Sequence, residues 1–203
     1  MERISKNISY NEGIYSRTAQ RKGIENKPND EQLANMYTIA EMIFQPLREW
    51  VGGPIKINSF FRSPELNEAI GGAYRIKDGK RVQTSQHCKG QALDLDDTFG
   101  HKTNAEMFYW IKENLDFDQL IWEFGTEYPD GNPNWIHVSY VDKQENRNRC
   151  LKAYKSKGKT KYSVIWAIKK KFKDTTVGKL LLGAAGVINP TLGKVLEGVT
   201  NPK

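Results

Sequence analysis

The residues best equipped for chemistry lie in Thr84–Asp97, TSQHCKGQALDLDD, and in a short stretch far downstream, WIHVSY. The first holds His87 and Asp94 seven residues apart, with Ser85 just ahead and Gly90 and Ala92 between them; the second holds His137. Two imidazoles and one carboxylate, brought together by a fold, make a three-ligand zinc site with a fourth position open for water. That chemistry is metal-assisted hydrolysis. The chain has only three histidines, and spacing alone leaves a packing or surface role open for His87 and His137. His101, after Phe99-Gly100, reads as an ordinary loop histidine. Cys88 beside His87 makes a poor Cys/His nucleophile, because adjacent side chains rarely aim at each other and the thiolate would need a base elsewhere.

The elements must then bring these residues together. His87 and Asp94 cannot share a helical face, since seven residues on one helix set them about two turns apart. They meet if His87 lies on a loop and Asp94 on the strand after it, with Gly90 permitting the bend. QALDLD has the alternation this needs, with Ala92, Asp94 and Asp96 on one face and Gln91, Leu93 and Leu95 on the other. In WIHVSY, Trp135, His137 and Ser139 share a face in the same way.

The rest of the chain supplies a frame. Residues 1–29, polar and broken by Gly13, Gly23 and Pro28, read as a loosely structured lead-in. Asp30 suits the N-cap of a long helix with Leu33, Met36, Tyr37, Ala40, Ile43, Phe44, Leu47 and Val51 on one face and Gly52-Gly53 as its stop. IKINSFFR predicts a strand ending at Arg62, PELNEAIGG a short helix with Pro64 near its start, and residues 73–86 a loop. Thr103 or Asn104 caps a helix running to Leu115. FDQLIWEFG and NWIHVSY read as facing strands joined by TEYPDGNP, and CLKAYK and TKYSVIWAI as a hairpin about Lys157-Gly158. This order predicts an α+β fold, a small antiparallel sheet with flanking helices. Residues 1–165 form the catalytic domain in this reading, and 166–203 a basic linker and apolar helical tail broken at Asn189-Pro190.

With 203 residues, five Trp, nine Tyr and eight Phe, the composition supports a folded domain plus an appendage. Cys88 and Cys150 make no disulfide framework. The opening MERISKNISYNEG lacks the apolar stretch of a secretory signal, and no apolar run reaches the roughly 20 residues that span a bilayer. The net charge of +7 is uneven: Lys143 to Lys179 holds thirteen Lys/Arg against Glu145 and Asp174, a local +11 that leaves −4 elsewhere. An anionic partner for that segment is expected, cell-wall polymer or membrane surface, with the tail adding apolar contact; a solvated basic face is the alternative. Nucleic acid is disfavoured, because exposed aromatics are not expected to interleave with these charges.

The pair SQHCKGQALDLD and NWIHVSY, preceded by SFFRSPELN, resembles the zinc D-Ala-D-Ala peptidase family, whose pattern S-x-H-x-x-G-x-A-x-D is followed by a distant His. Ser85, His87, Gly90, Ala92, Asp94 and His137 match it position by position. The resemblance runs from about Ser9 to Tyr140 and is closest to the phage and prophage branch. It implies a hedgehog-like α+β fold, Zn2+ held by His87, Asp94 and His137, and peptidoglycan peptide stems as substrate. Arg62, in the S-x-x-R of SFFRS, matches the arginine that binds the substrate carbonyl or carboxylate, a task its planar fork suits. Ser85 and Trp135 are further substrate-binding candidates. One position departs from the family: where a Glu or Asp general base commonly stands three residues before the last His, this chain has Asn134. Glu123, at the end of LIWE, is the best substitute across the hairpin, with Glu127 and Asp130 in the connecting loop as runners-up.

Two functions follow. One is a peptidoglycan peptidase of the endolysin or virion-associated kind, released from the host cytoplasm to the wall or carried with virion proteins. The other is a wall- or virion-binding module that keeps the fold without turnover, which Asn134 suggests. D,D-carboxypeptidase, L,D-endopeptidase and L-Ala-D-Glu endopeptidase activities all fit the sequence.

Overall fold

The polar N-terminal segment folds because its few apolar residues are placed where they can be buried. In a computed structural model of the protein, which describes residues 2–167, β1 (Arg3–Ser5) pairs antiparallel with β2 (Ile8–Ser9) and buries Ile4 and Ile8 in the main core. Two short helices follow, α1 (Tyr10–Ile14) and α2 (Arg17–Lys22), capped by the hydroxyls of Ser9 and Ser16. This corrects the expectation of a loosely structured lead-in. Elements of two to six residues are too short to show a period, so the sequence pattern passes over them.

The long helix is interrupted. Asn29, rather than Asp30, is the N-cap of α3 (Asp30–Ile39), in a capping box with Gln32. The turn Ala40–Phe44 widens to a π-helix before α4 (Gln45–Val51), which ends at Gly52 in the left-handed conformation. Pro46 explains the widening: it has no N–H for the carbonyl four residues back, and its ring crowds that oxygen.

Beyond the helix come β3 (Lys56–Ser59) and α5 (Pro64–Ala69). Residues 73–86, expected as a loop, instead contain the hairpin β4 (Tyr74–Lys77) and β5 (Lys80–Gln83), whose side chains are almost all exposed. Its two central residues, Asp78 and Gly79, both have positive φ, a turn that alternation does not reveal. A 3-10 turn, Gln86–Lys89, then carries His87 into β6 (Ala92–Asp96). The remaining elements are α6 (Asn104–Asn114), β7 (Gln119–Glu123), β8 (Trp135–Ser139), β9 (Arg149–Ser156) and β10 (Lys159–Ala167).

The fold is mixed α+β, as expected, around a six-stranded sheet of order β10-β9-β7-β8-β6-β3. The sheet is not wholly antiparallel: β9 runs parallel to β7, because the chain leaves β8 and crosses to the far side of β7. One face buries Leu93, Leu95, Leu120, Trp122, Ile136 and Val138 against α3, α4 and α6. The opposite face carries Asp94, His137 and Glu123 beside a small cluster of Ile121, Leu151 and Ala153. The apolar tail expected within 166–203 lies outside the described residues, apart from the end of β10. Among the described residues no helix is long and apolar enough to cross a membrane.

Gly90 joins the helical layer to the His87 turn. Its φ is +71°, and a Cβ there would stand 2.2 Å from the Gln32 carbonyl oxygen. The same approach lets Gln32 Nε2 donate to the Cys88 carbonyl and Asn35 Nδ2 to the Lys89 carbonyl, both at 2.9 Å. Gly90→Ala is expected to lower stability by roughly 1–3 kcal/mol in urea denaturation, through left-handed strain and loss of this contact. The His87 imidazole resonances in the NMR spectrum should shift in the same variant.

Candidate metal centre

Asp94 on β6 and His137 on β8 are direct cross-strand partners, so strand pairing alone sets their side chains side by side. His87 joins them from the 3-10 turn. Its Nδ1–H donates to the Phe60 carbonyl at 2.7 Å, and since a carbonyl only accepts, Nε2 is left with a lone pair. That Nε2 lies 3.2 Å from Asp94 Oδ1 and 3.2 Å from His137 Nδ1, and His137 Nδ1 lies 2.9 Å from Asp94 Oδ1. All three ligand atoms fall within 4.8 Å of one another.

The charges of these groups say what such a cluster suits. Burial lowers the pKa of His87, which is 2% exposed, with Asp94 opposing and Arg62 adding to the shift. Burial alone would raise Asp94, but the adjacent His87 and His137 hold its carboxyl well below the usual range. The lone pair of His87 Nε2 faces the anionic oxygen of Asp94, an arrangement that a cation shared between them relieves. The set fits zinc, which takes imidazole nitrogen and carboxylate oxygen and is held in hydrolytic sites by three protein ligands. The groups behind the ligands fit as well: the Phe60 carbonyl fixes the His87 ring, and Arg62 Nη2 forms a salt bridge to Asp94 Oδ2.

Arg62 is held from several directions. Its Nε donates to Ser59 Oγ at 2.8 Å, and Ser59 lies opposite Asp94 in the β3–β6 ladder. Its backbone N–H donates to the His87 carbonyl at 3.3 Å. Buried Asn26 braces both neighbours, donating to the Phe61 carbonyl at 3.1 Å and accepting from the Ser63 N–H at 2.7 Å. The N-terminal segment therefore helps position the arginine.

Glu123 ends β7 on the same face, paired with Trp135 and two residues beyond the Ile121–His137 pair. It is 7% exposed, and burial pushes its carboxyl up to about 7, with His137, Arg62 and Lys155 pulling down and Asp94 adding to the rise. The other candidates fall further out. Trp135 is half-buried against Phe124, ring centroids 5.5 Å apart, and Ser85 begins the 3-10 turn without capping it by its side chain. Asn134 is exposed just ahead of β8, its N–H donating to the Glu123 carbonyl at 3.0 Å. Glu127 forms a salt bridge with Lys152, which lies beside Trp122 on the helix-covered side of the sheet, and Asp130 acts electrostatically on Tyr109 of α6. Neither runner-up is drawn into the His–Asp–His group.

A family model described as Peptidase M15 matches residues 6–139. The chain belongs to the peptidase M15 family. The match takes in Arg62, His87, Asp94, Glu123 and His137, and agrees with the resemblance carried by SQHCKGQALDLD and NWIHVSY. No curated protein matches the chain. The M15 region ends with β8, so β9 and β10 complete the sheet from outside it.

An ion pair with no counterpart in the sequence pattern lies behind the His87 turn. Asp118, 2% exposed, takes two hydrogen bonds of 2.6 Å from Arg147 and one of 2.8 Å from Gln86 in the His87 turn. Arg147 and Lys152, counted earlier in the basic segment, thus have intramolecular partners in Asp118 and Glu127. The same segment exposes Tyr154 and Tyr162, contrary to the expectation of no interleaved exposed aromatics. The Asp118–Arg147 pair has no spacing signal because its residues lie far apart in the chain, and alternation alone does not say which hairpin face stays open to solvent.

The raised pKa of Glu123 has a measurable consequence. Folded protein keeps a proton there that the unfolded chain releases above about 4.5, so this group's contribution to stability falls as pH rises from that value through 7. In chelator-treated protein, Glu123→Gln is expected to match wild type below pH 4.5 and to gain stability above it, by up to about 3 kcal/mol beyond pH 7. Denaturant titrations across this range test it.

Proposed function

We propose that this protein is a zinc-dependent peptidase that cuts peptide stems of bacterial peptidoglycan, with the hedgehog-like fold its family resemblance implies. The observation that carries the reading is the convergence of His87, Asp94 and His137 on one sheet face, with the buried carboxyl of Glu123 beside them.

His87, Asp94 and His137 would hold a zinc ion, which would supply Lewis acidity toward water and the scissile carbonyl. The protein groups do the rest. Glu123, its carboxyl poised near neutrality, takes the proton of the attacking water and returns it to the leaving amine. Arg62 keeps Asp94 oriented through Nη2, while its Nη1 makes no hydrogen bond among the described residues and is free to donate to the developing oxyanion. Trp135 and Ser85, each two residues before a histidine ligand, would border the substrate. In this reading Glu123 takes over from the family's acid at the Asn134 position. The biological setting we favour is an endolysin-like or virion-associated lysin. The basic charge beyond Lys143 that Asp118 and Glu127 leave unpaired then favours anionic wall polymer.

Asn134 supports a second reading, a wall-binding module without turnover. Zinc content and release of new amino groups from peptidoglycan separate the two. Wild type is expected to hold zinc and release amines, and His137→Ala to lose both. Glu123→Gln should keep zinc while its rate falls at least about a hundredfold. Zinc without release by wild type would favour the binding module, and full activity in Glu123→Gln would place the base elsewhere.

A further inference from the structure

The site face does not stop at Glu123. Through β7 and β9, Glu123 lies beside Ala153, and through β9 and β10, Ala153 lies beside Tyr162. Strands are about 4.8 Å apart, so Tyr162 stands two strands from Glu123 on the same face, with only the Ala153 methyl between them. Lys155 shares that face, two residues beyond Ala153 and opposite Thr160. Phe124 joins it by a different route. As the residue after Glu123 it belongs on the opposite face, but its φ of +56° and that of Gly125 at +71° turn the chain, and its ring packs on Ile121, Leu151 and Ala153. A non-glycine residue in this conformation is strained, and such strain clusters at functional sites.

The result is a shelf next to the catalytic groups. Phe124 and Trp135 form its floor, Tyr162 stands 54% exposed at its edge, and the Lys155 ammonium sits 5.1 Å over the Phe124 ring. Lys155 donates to Thr160 Oγ1 at 2.8 Å and has no carboxylate partner among the described residues. The Tyr162 phenol is close enough to the centre for its charges to act on it: partial desolvation raises its pKa first, then Glu123 and Asp94, with Arg62 opposing. Arg62 lies on the β3 side of the ligands and Lys155 on the β9 side, so the two cations bracket the row Asp94, His137, Glu123.

We propose that the face of the β9–β10 hairpin is a substrate-binding wall, on which Lys155 pairs with a carboxylate of the peptide and Tyr162 donates a hydrogen bond to it, over the Phe124–Trp135 floor. The proposal rests on the peptidase reading above and adds to it a subsite outside the M15 match, which ends at residue 139. A peptide stem carries carboxylates at its C terminus and on its side chains, and both share the chemistry that Lys155 recognises.

The test uses full-length zinc-loaded protein and a synthetic stem pentapeptide in three forms: with all carboxylates free, amidated at the C terminus, or amidated at its side-chain carboxyl. Measured well above pH 7, where Glu123 is ionised with or without the pull of Lys155, Lys155→Met is expected to raise KM for the free peptide by about tenfold or more, the worth of one charge-assisted contact, with kcat changed little. That penalty should vanish with one of the two amidated peptides, which identifies the carboxylate. Tyr162→Phe should raise KM in the same direction, and both variants should keep wild-type zinc content. Unchanged KM in both variants, or an equal penalty with all three peptides, overturns the wall. A wild type that hydrolyses none of the peptides overturns the peptidase reading itself, and the wall with it.

Discussion

Three candidate ligand atoms, His87 Nε2, Asp94 Oδ1 and His137 Nδ1, meet within hydrogen-bond distance of one another, and much of the chain acts to hold them there. The β6–β8 ladder fixes Asp94 against His137, the Phe60 carbonyl fixes the ring of His87, and Arg62 holds the second carboxylate oxygen. Behind these stand Gly90, which lets α3 rest on the His87 turn, and Asn26, which braces the loop of Arg62. Asp118 ties that turn to the start of β7 through Gln86. Preorganisation here means that the strand ladder, the His87 turn and the Arg62 loop together fix all three ligands.

Two carboxyls on one sheet face are driven in opposite directions. Asp94 is buried among two imidazoles and a guanidinium, and their attraction outweighs the cost of burial. Glu123 is equally buried but has no ion pair among the described residues, so desolvation dominates. Environments that separate two acids in this way assign one to holding charge and the other to moving protons.

Much of this was legible in the sequence. The alternation in QALDLD and WIHVSY set the faces of Asp94 and His137, because a half-polar strand has only two ways to sit, whereas the mostly apolar LIWE left Glu123 to be placed by its pairing with WIHVSY. The long helix was visible in its apolar period, but its π turn was not, since the pattern averages over Pro46. The lead-in and the 73–86 hairpin escaped because their strands and helices are shorter than a readable period. The parallel placement of β9 and the Asp118–Arg147 pair are contacts between segments far apart in the chain. Phe124 defied the alternation outright, since a positive φ reverses the side on which the next residue falls.

The strand order also leaves an edge. Among the described residues β10 pairs only with β9, and an edge of this kind is what recruits further strands. Lys159 and Lys161 stand exposed along that strand. A second copy approaching to extend the sheet would bring the same like charges against them, so part of the basic character guards the molecule against self-association whether or not any anionic polymer is bound.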